Sequence, residues 1–296
     1  MMDYKFIEAM AMVIREGGFD KAAEALHITQ SAVSQRVKLL EEHTGRILIT
    51  RTTPPAPTQA GRNLLKHFLK VKQLEDDLKR DMENQTDAHY SSLTVGINAD
   101  SLATWFPEAV RPFLLKERVL LDLMVDDQDQ TLRMLKDGDA VGCISTGDKP
   151  LQGCRIHYLG CMNYHLLAAP VFAKKWFPEG LTYDAASSAP AVIFNRKDET
   201  HHKLLKEALG KAPPAYPIHY IPSSERFSYF IAMGAGYGML PVQQSENLVR
   251  AGRLKDLAPG YHVPVRLFWH CWNLKSRLLD TLTHQFIQSA ETLLDR

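Results

Sequence analysis

Apolar positions near the start of the chain recur at helical spacing. Phe6, Met10, Val13 and Ile14 fall on one face of a segment from Tyr4 to Glu16, and recurrence at three and four residues marks an amphipathic helix. Gly17-Gly18 ends it. A short second helix begins at Phe19 and uses Ala22, Ala23 and Leu26 on its inner side. After a brief turn at His27-Ile28, Thr29 is placed to cap a third helix that runs to about Thr44 and stops at Gly45. A threonine hydroxyl at that position accepts from the unpaired N–H groups of the first turn.

Within the third helix Val33, Val37 and Leu40 stack on one side. Gln30, Ser34 and Lys38 lie on the other, flanked by Ser31 and Gln35, because positions three and four apart share a helix face. Two short helices, a sharp turn and a helix with a small polar outer face form the helix-turn-helix layout. Serine and glutamine approach base edges closely while donating and accepting hydrogen bonds, so this face predicts a double-stranded DNA reader.

Leu48 to Thr58 holds Arg51, Thr52 and three prolines, and reads as an extended hairpin or wing beside the third helix. Thr58 caps a fourth helix running to about Asn84. Its apolar positions Leu64, Phe68, Val71, Leu74, Leu78 and Met82 step by four, three, three, four and four, a coiled-coil-like seam. A long helix between two domains, polar around its seam, predicts pairing of two chains through Leu64, Phe68, Val71 and Leu78.

Beyond a polar linker at Asp87–Ser92 the pattern changes to strands alternating with helices. Strands are expected at Leu93–Ile97, Leu121–Val125, Val141–Ser145, Tyr164–Ala168, Ala191–Phe194, Ile218–Ile221, Tyr237–Leu240 and Val265–Trp269. Helices are expected from Ser101 or Leu102, at Gln130–Lys136, Glu199–Leu209, Ser224–Met233 and Arg277–Leu294. Regular alternation predicts an α/β domain with a largely parallel sheet, or two such sheets. The fold class is thus α/β with an all-α N-terminal head.

Composition adds two points. At 45% hydrophobic and 23% charged over 296 residues, the chain is an ordinary soluble protein of roughly two domains at about 150 residues each. The formal charge of +1 conceals a basic head: the first 72 residues hold eleven Lys+Arg against seven Asp+Glu, a net of +4. Acidic residues then dominate 75–87. No run of 18 apolar residues occurs, and the first residues lack a signal-peptide layout, so the expectation is a cytoplasmic protein without a membrane partner.

Catalytic and metal motifs are weak. Cys154, His157 and Cys161 are close in sequence, but a zinc site needs a fourth ligand or a water, and no second cluster supplies it. Asp126-Asp127-x-Asp129 lacks the glycine and terminal glutamate of a calcium loop. Gly234-x-Gly236-x-Gly238 follows a helix and precedes a strand, the reverse of a dinucleotide fingerprint. No Gly-x-Ser-x-Gly elbow or HExxH run is present, so neither an enzyme nor a cofactor is expected.

At the third helix the chain resembles a known family. The run from Phe19-Asp20-Lys21-Ala22-Ala23 through Ile28-Thr29-Gln30-Ser31-Ala32-Val33-Ser34-Gln35-Arg36 to Glu41, followed by Gly45, Leu48, Arg51, Pro57-Thr58 and Gly61, resembles the winged helix-turn-helix of LysR-type transcriptional regulators. Arg51 through Thr58, Asn98 through Trp105 and Ser223-Ser224-Glu225 are similar to the arginine/lysine-responsive branch. Where most of the family reads Ser-Arg-Gln, this chain reads Ser34-Gln35-Arg36. That order places glutamine, which suits adenine, where arginine would suit guanine.

The resemblance implies a winged helix-turn-helix over 1–58 and a linker/dimerisation helix over 59–87. It implies a periplasmic-binding-protein-like effector domain over 88–296, with subdomain I at 93–164 and 268–296 and subdomain II at 165–267. DNA contacts would come from Thr29, Gln30, Ser31, Ser34, Gln35, Arg36, Lys38, Arg51 and Thr52. The expected partners are double-stranded DNA, a second copy in a homodimer, a dimer of such dimers, and RNA polymerase. The expected ligand is a small-molecule effector, lysine or arginine, in the cleft between subdomains.

Ligands in open α/β sheets sit beyond the carboxyl ends of strands. Four segments fit: Asn98–Ser101 with Asp100, Asp126-Asp127, Phe194–Asp198, and Ser223-Ser224-Glu225. Ser101, Ser223 and Ser224 are expected to serve a carboxylate. Asp126, Asp127, Asp198 or Glu225 are expected to serve positive groups.

Overall fold

A computed structural model describes residues 3–82, 90–126 and 128–296. The head contains α1 (Tyr4–Glu16), α2 (Phe19–Ala25), α3 (Gln30–Thr44), strands β1 (Ile49–Thr50) and β2 (Ala56–Pro57), and the start of α4 (Gln59–Met82). Thr29 caps α3 through Oγ1, which accepts from the Ala32 N–H at 3.2 Å. Gly45 ends the helix at φ 62°, the left-handed region that glycine enters without a side-chain penalty. The expected hairpin forms, with β1 and β2 paired antiparallel. Glu41 ties α3 to it, its Oε1 accepting from the Leu48 N–H at 2.7 Å. The core of the head is Ile7, Met10, Val13, Val33, Val37, Leu40, Leu48 and Leu65, all buried.

The fourth helix belongs partly to this core. A Cβ at Gly61 would lie 2.1 Å from the Leu48 carbonyl oxygen, so the helix meets the wing at a point where only glycine fits. Leu64 is 9% exposed and sits in the head core, with Phe68 packed against it. Of the expected dimer seam, Leu64 is thus taken up by the head core of its own chain, while Phe68 is half-buried beside it. Val71 is half-buried, whereas Leu74, Leu78 and Met82 are exposed at 41%, 59% and 77%. The end of the helix near Asn84 and the linker residues 83–89 lie outside the described residues.

The rest of the chain runs β3 (Ser91–Ile97), α5 (Ala99–Ala103), α6 (Phe106–Lys116), β4 (Val119–Val125), α7 (Gln128–Asp137), β5 (Gly142–Ser145), β6 (Cys154–Ala168), α8 (Pro170–Trp176), α9 (Tyr183–Ser188) and β7 (Ala191–Ile193). It continues through α10 (Thr200–Leu209), β8 (Ile218–Tyr220), α11 (Ser224–Ala232), β9 (Tyr237–Pro241), α12 (Val242–Arg250), β10 (Lys255–Asp256), β11 (Val263–Trp272) and α13 (Arg277–Leu293). Every expected strand is present. Helices α8, α9 and α12 and the first half of β6 were not legible in the pattern.

The strands form one nine-stranded sheet in the order β4-β3-β5-β11-β6-β9-β7-β8, with β10 beside β6. It is mixed rather than largely parallel. β4-β3-β5 and β9-β7-β8 are parallel groups. Between them β6 and β11 run antiparallel to each other and to the strands they touch. The chain thus crosses from one parallel group to the other on β6 and returns on β11, where the register shifts between Leu267 and Phe268. Trp105, Trp269 and Trp272 are core residues at 2%, 0% and 0% exposure. Leu69 on α4 packs against both the head core and the core of this domain.

Candidate functional site

The outer face of α3 stands as the spacing predicts. Gln30, Ser31, Gln35 and Lys38 are exposed, and Ser34 and Arg36 are half-buried beside them. Val33, Val37 and Leu40 anchor the opposite face. Arg51 is exposed on the hairpin. Two expected DNA residues have a structural use for their hydroxyls. Thr29 caps the helix, and Thr52 donates from Oγ1 to the Pro54 carbonyl at 2.8 Å, shaping the wing.

The domain after α4 holds a cavity of about 620 Å³ beyond the carboxyl ends of β3, β4 and β7. Asn98, Asp100 and Asp126 line it from one parallel group. Phe194, Lys197, Asp198, Glu199, Thr200 and Lys203 line it from the other. Tyr164 of β6, Val265 of β11, and Phe227, Met239 and Gln244 complete the walls. A size of this order suits a small metabolite held between apolar walls with a few converging polar groups.

At the β3 end a carboxylate collects hydroxyl donors. The Asp100 carboxylate takes the Tyr164 hydroxyl on Oδ2 at 2.5 Å and the Ser224 hydroxyl on Oδ1. Burial, and then the neighbouring Asp100 charge, push the Tyr164 hydroxyl well above its ordinary pKa, so it remains a donor at neutral pH. Gln244 Nε2 donates to the Ser224 carbonyl at 2.6 Å and steadies the start of α11. Beside Asp100, Asn98 is 4% exposed.

The β7 end carries both signs of charge. Asp198 Oδ1 accepts from the Thr200 N–H at 2.9 Å and from its hydroxyl at 2.5 Å, closing the first turn of α10. Lys203 Nζ lies 3.3 Å from Glu199 Oε2. On the buried side of α10, His201 packs against Tyr216 and Tyr237. Burial lowers its pKa to about 3, so a neutral ring supports the helix that carries Thr200 and Lys203.

These positions revise the expected carboxylate site. Ser101 is in the middle of α5, fully buried and absent from the cavity wall. Ser224 turns its hydroxyl onto Asp100 rather than toward a ligand. Ser223 is half-buried at the N-cap of α11, and Glu225 is exposed in its first turn; neither lines the cavity. For Ser224 the physical reason is that the Asp100 carboxylate already takes its hydroxyl proton. Asp127 lies outside the described residues. Tyr164, Val265, Met239 and Gln244 had no local signal, because they come from strands and a helix that tertiary pairing brings in. On β6, Cys154 and His157 are three apart and face opposite sides of the strand.

Residues 5–62 match the family described as "Bacterial regulatory helix-turn-helix protein, lysR family", and residues 88–294 match "LysR substrate binding domain". An HTH-type transcriptional regulator ArgP from Pseudomonas aeruginosa is 41% identical over 291 residues, 98% of this chain and 96% of that protein. The crystal structure of ArgP from Mycobacterium tuberculosis superposes with a TM-score of 0.88 at 34% identity, covering 100% of this chain and 99% of the other. A full-length LysG from Corynebacterium glutamicum with bound effector Arg superposes at 0.79 with 31% identity, over 100% of both chains. The two matched regions follow one another over most of the chain, and the chain belongs to the LysR family of bacterial transcriptional regulators.

Proposed function

We propose that this regulator reads double-stranded DNA with the outer face of α3, contacts phosphate with Arg51, and changes its output when lysine or arginine enters the cleft. The charge of the cavity carries the ligand reading. Asp100, Asp126, Asp198 and Glu199 face it against Lys197 and Lys203, an excess of negative groups that favours a ligand with net positive charge. The ArgP relatives and the arginine-bound LysG support the same class. The cavity acts by binding, and the regulator performs no catalysis.

Within this reading the chain divides at 1–58, 59–87 and 88–296. The crossings on β6 and β11 support subdomains at 93–164 with 268–296, and at 165–267. Two chains pair through the exposed half of α4, and two such pairs assemble to work with RNA polymerase in the cytoplasm. Among the described residues no helix is long and apolar enough to cross a membrane.

Calorimetric titration of lysine and arginine into the full chain, repeated with promoter DNA present, tests the reading. Binding of either ligand with a shift in DNA affinity or footprint is expected. Saturation by an unrelated metabolite, with no heat from either amino acid, overturns the ligand assignment.

A further inference from the structure

One face of α4 lies on the second domain of its own chain. Arg62, Lys66, Leu69, Gln73 and Arg80 share that side of the helix, because residues three and four apart stack on one face. Arg62 Nε lies 3.8 Å from Asp137 Oδ1 at the end of α7. Leu69 packs against the core of the second domain. Gln73 is 5% exposed and donates from Nε2 to the Ser276 hydroxyl at 3.4 Å. Arg80 donates to the Arg118 carbonyl at 3.4 Å. Leu74, Leu78 and Met82 are exposed away from this face.

At the head end of α4 the seat is the corner Asp137-Gly138. Gly138 has φ +91°, and a Cβ there would lie 2.9 Å from Lys66 Cβ and 3.0 Å from Lys66 Cα, so α4 rests directly on the corner. Asp137 also takes Arg133 Nε on Oδ2 at 3.4 Å. Burial, and then the Asp137 charge, raise the pKa of Asp139, and Arg62 opposes them. The Arg62 guanidinium thus faces both acids of the corner.

The same guanidinium holds the base of the wing. Its Nη1 donates to the Pro57 carbonyl at 2.9 Å and its Nη2 to Gln59 Oε1 at 3.1 Å. Pro57 pairs with Ile49 in the hairpin, and Arg51 lies between the two strands. A planar fork of five donors can serve a carbonyl and a carboxylate at once. The other end of α7 begins at Gln128, just past Asp126 of the cavity wall. Thr131 fastens that helix to β5 by donating to the Ile144 carbonyl at 3.1 Å.

We propose that the Asp137-Gly138 corner seats the wing. Arg62 is a positioning residue that takes its place from Asp137, so the second domain of a chain sets where Arg51 of that chain meets phosphate. This inference rests on the reading of Arg51 as a phosphate contact.

The test is a set of double-mutant cycles with the full chain on a mixed-sequence DNA duplex, titrated at several salt concentrations. Arg51→Ala is combined in turn with Gly138→Ala and with Asp137→Asn, and circular dichroism melts check each fold. Arg51→Ala alone should weaken binding by about tenfold near 0.1 M salt, the scale of one phosphate contact. Gly138→Ala carries no charge change, yet it should lower affinity and reduce the log–log salt slope about as far as Arg51→Ala does. In that background Arg51→Ala should cost less than about twofold, because coupled sites are not additive. Asp137→Asn should weaken binding by about two- to fivefold, the scale of a partly exposed ion pair, and Asp137→Glu should keep wild-type affinity. If Gly138→Ala does not fold, the Asp137→Asn cycle carries the test, with a reduced Arg51→Ala effect expected there too. If Arg51→Ala costs the same in every background, the head alone places the wing and the proposal is wrong. If Arg51→Ala alone changes neither affinity nor slope, the phosphate reading of Arg51 fails and the seat loses its role with it.

Discussion

The outer face of α3, proposed to read DNA, and the cavity, proposed to hold the effector, both present polar residues, but they are built in different ways. The polar side chains proposed to meet DNA lie within one helix, α3, and a continuous apolar stripe of Val33, Val37 and Leu40 holds the other side. Position along the chain therefore determines which way each residue faces. The cleft draws its walls from both parallel groups of the sheet, both crossing strands and four helices, α5, α10, α11 and α12. There the neighbours decide what a residue does. Ser224 looks like an anion binder in isolation, and beside Asp100 it is a donor to an acid. A contiguous site can be read from sequence in sign and direction, whereas an assembled site can be located from sequence yet have its polarity reversed.

The largest test of this contrast is at the helix that joins the two regions. Leu78 is 59% exposed and Leu64 is 9% exposed in the same chain. Leu78→Asp should leave the fold intact while placing a charge in the chain-to-chain seam. Sedimentation should then show monomer, and operator affinity should fall by on the order of a hundredfold or more, because paired heads read paired half-sites. Leu64→Ala should instead lower the stability of the head by about 2–5 kcal/mol in thermal melts, as for a buried leucine. Equal effects from the two substitutions would erase the distinction between core and seam.

A smaller effect is expected inside the cleft. Asp100→Asn removes the charge at the β3 end and should weaken lysine or arginine binding by about ten- to a hundredfold, with DNA affinity in the absence of ligand unchanged. Glu225→Gln, at an exposed position off the cavity wall, should leave ligand affinity unaltered. A strong loss from Glu225→Gln would restore the site expected from local pattern and contradict the cavity.

Smaller still are single changes on the DNA face. Gln35→Ala should cost about 1–3 kcal/mol at a cognate operator and little on unrelated DNA, as for the loss of a base-edge contact. Arg51→Ala should weaken all sequences alike and reduce the log–log salt slope by about one, as for the loss of a phosphate contact. Binding titrations at several salt concentrations separate the two. If Gln35→Ala behaves like Arg51→Ala, α3 positions the head without reading bases.

Legibility followed the range of the interactions. Helices α1 and α3 were readable to the residue because period, cap and stop signal agree within each segment. Helices α8 and α9, with seven and six residues, are too short to show a period. The first half of β6 carries a mixed run from Cys154 to Asn163 that alternation does not mark. The mixed character of the sheet was also out of reach. Alternating strands and helices suggest parallel pairing, but β6 and β11 pair with each other over ten residues of β11, and only their return paths set that direction.

The same boundary runs through the function. The amino-acid sequence by itself determined the head: a capped helix with an apolar stripe must turn Gln30, Ser31, Gln35 and Lys38 outward, because backbone geometry links spacing to direction. It also pointed to four segments at strand ends, and a cavity lies at three of them, those after β3, β4 and β7, but not at Ser223 and Glu225 after β8. Only the tertiary structure decided which of them face the cavity and with what sign. Asp100 meets Ser224 across 124 positions of chain, and Leu64 joins the head core. Packing and charge pairing between distant segments fix those outcomes, and no local rule about spacing contains them.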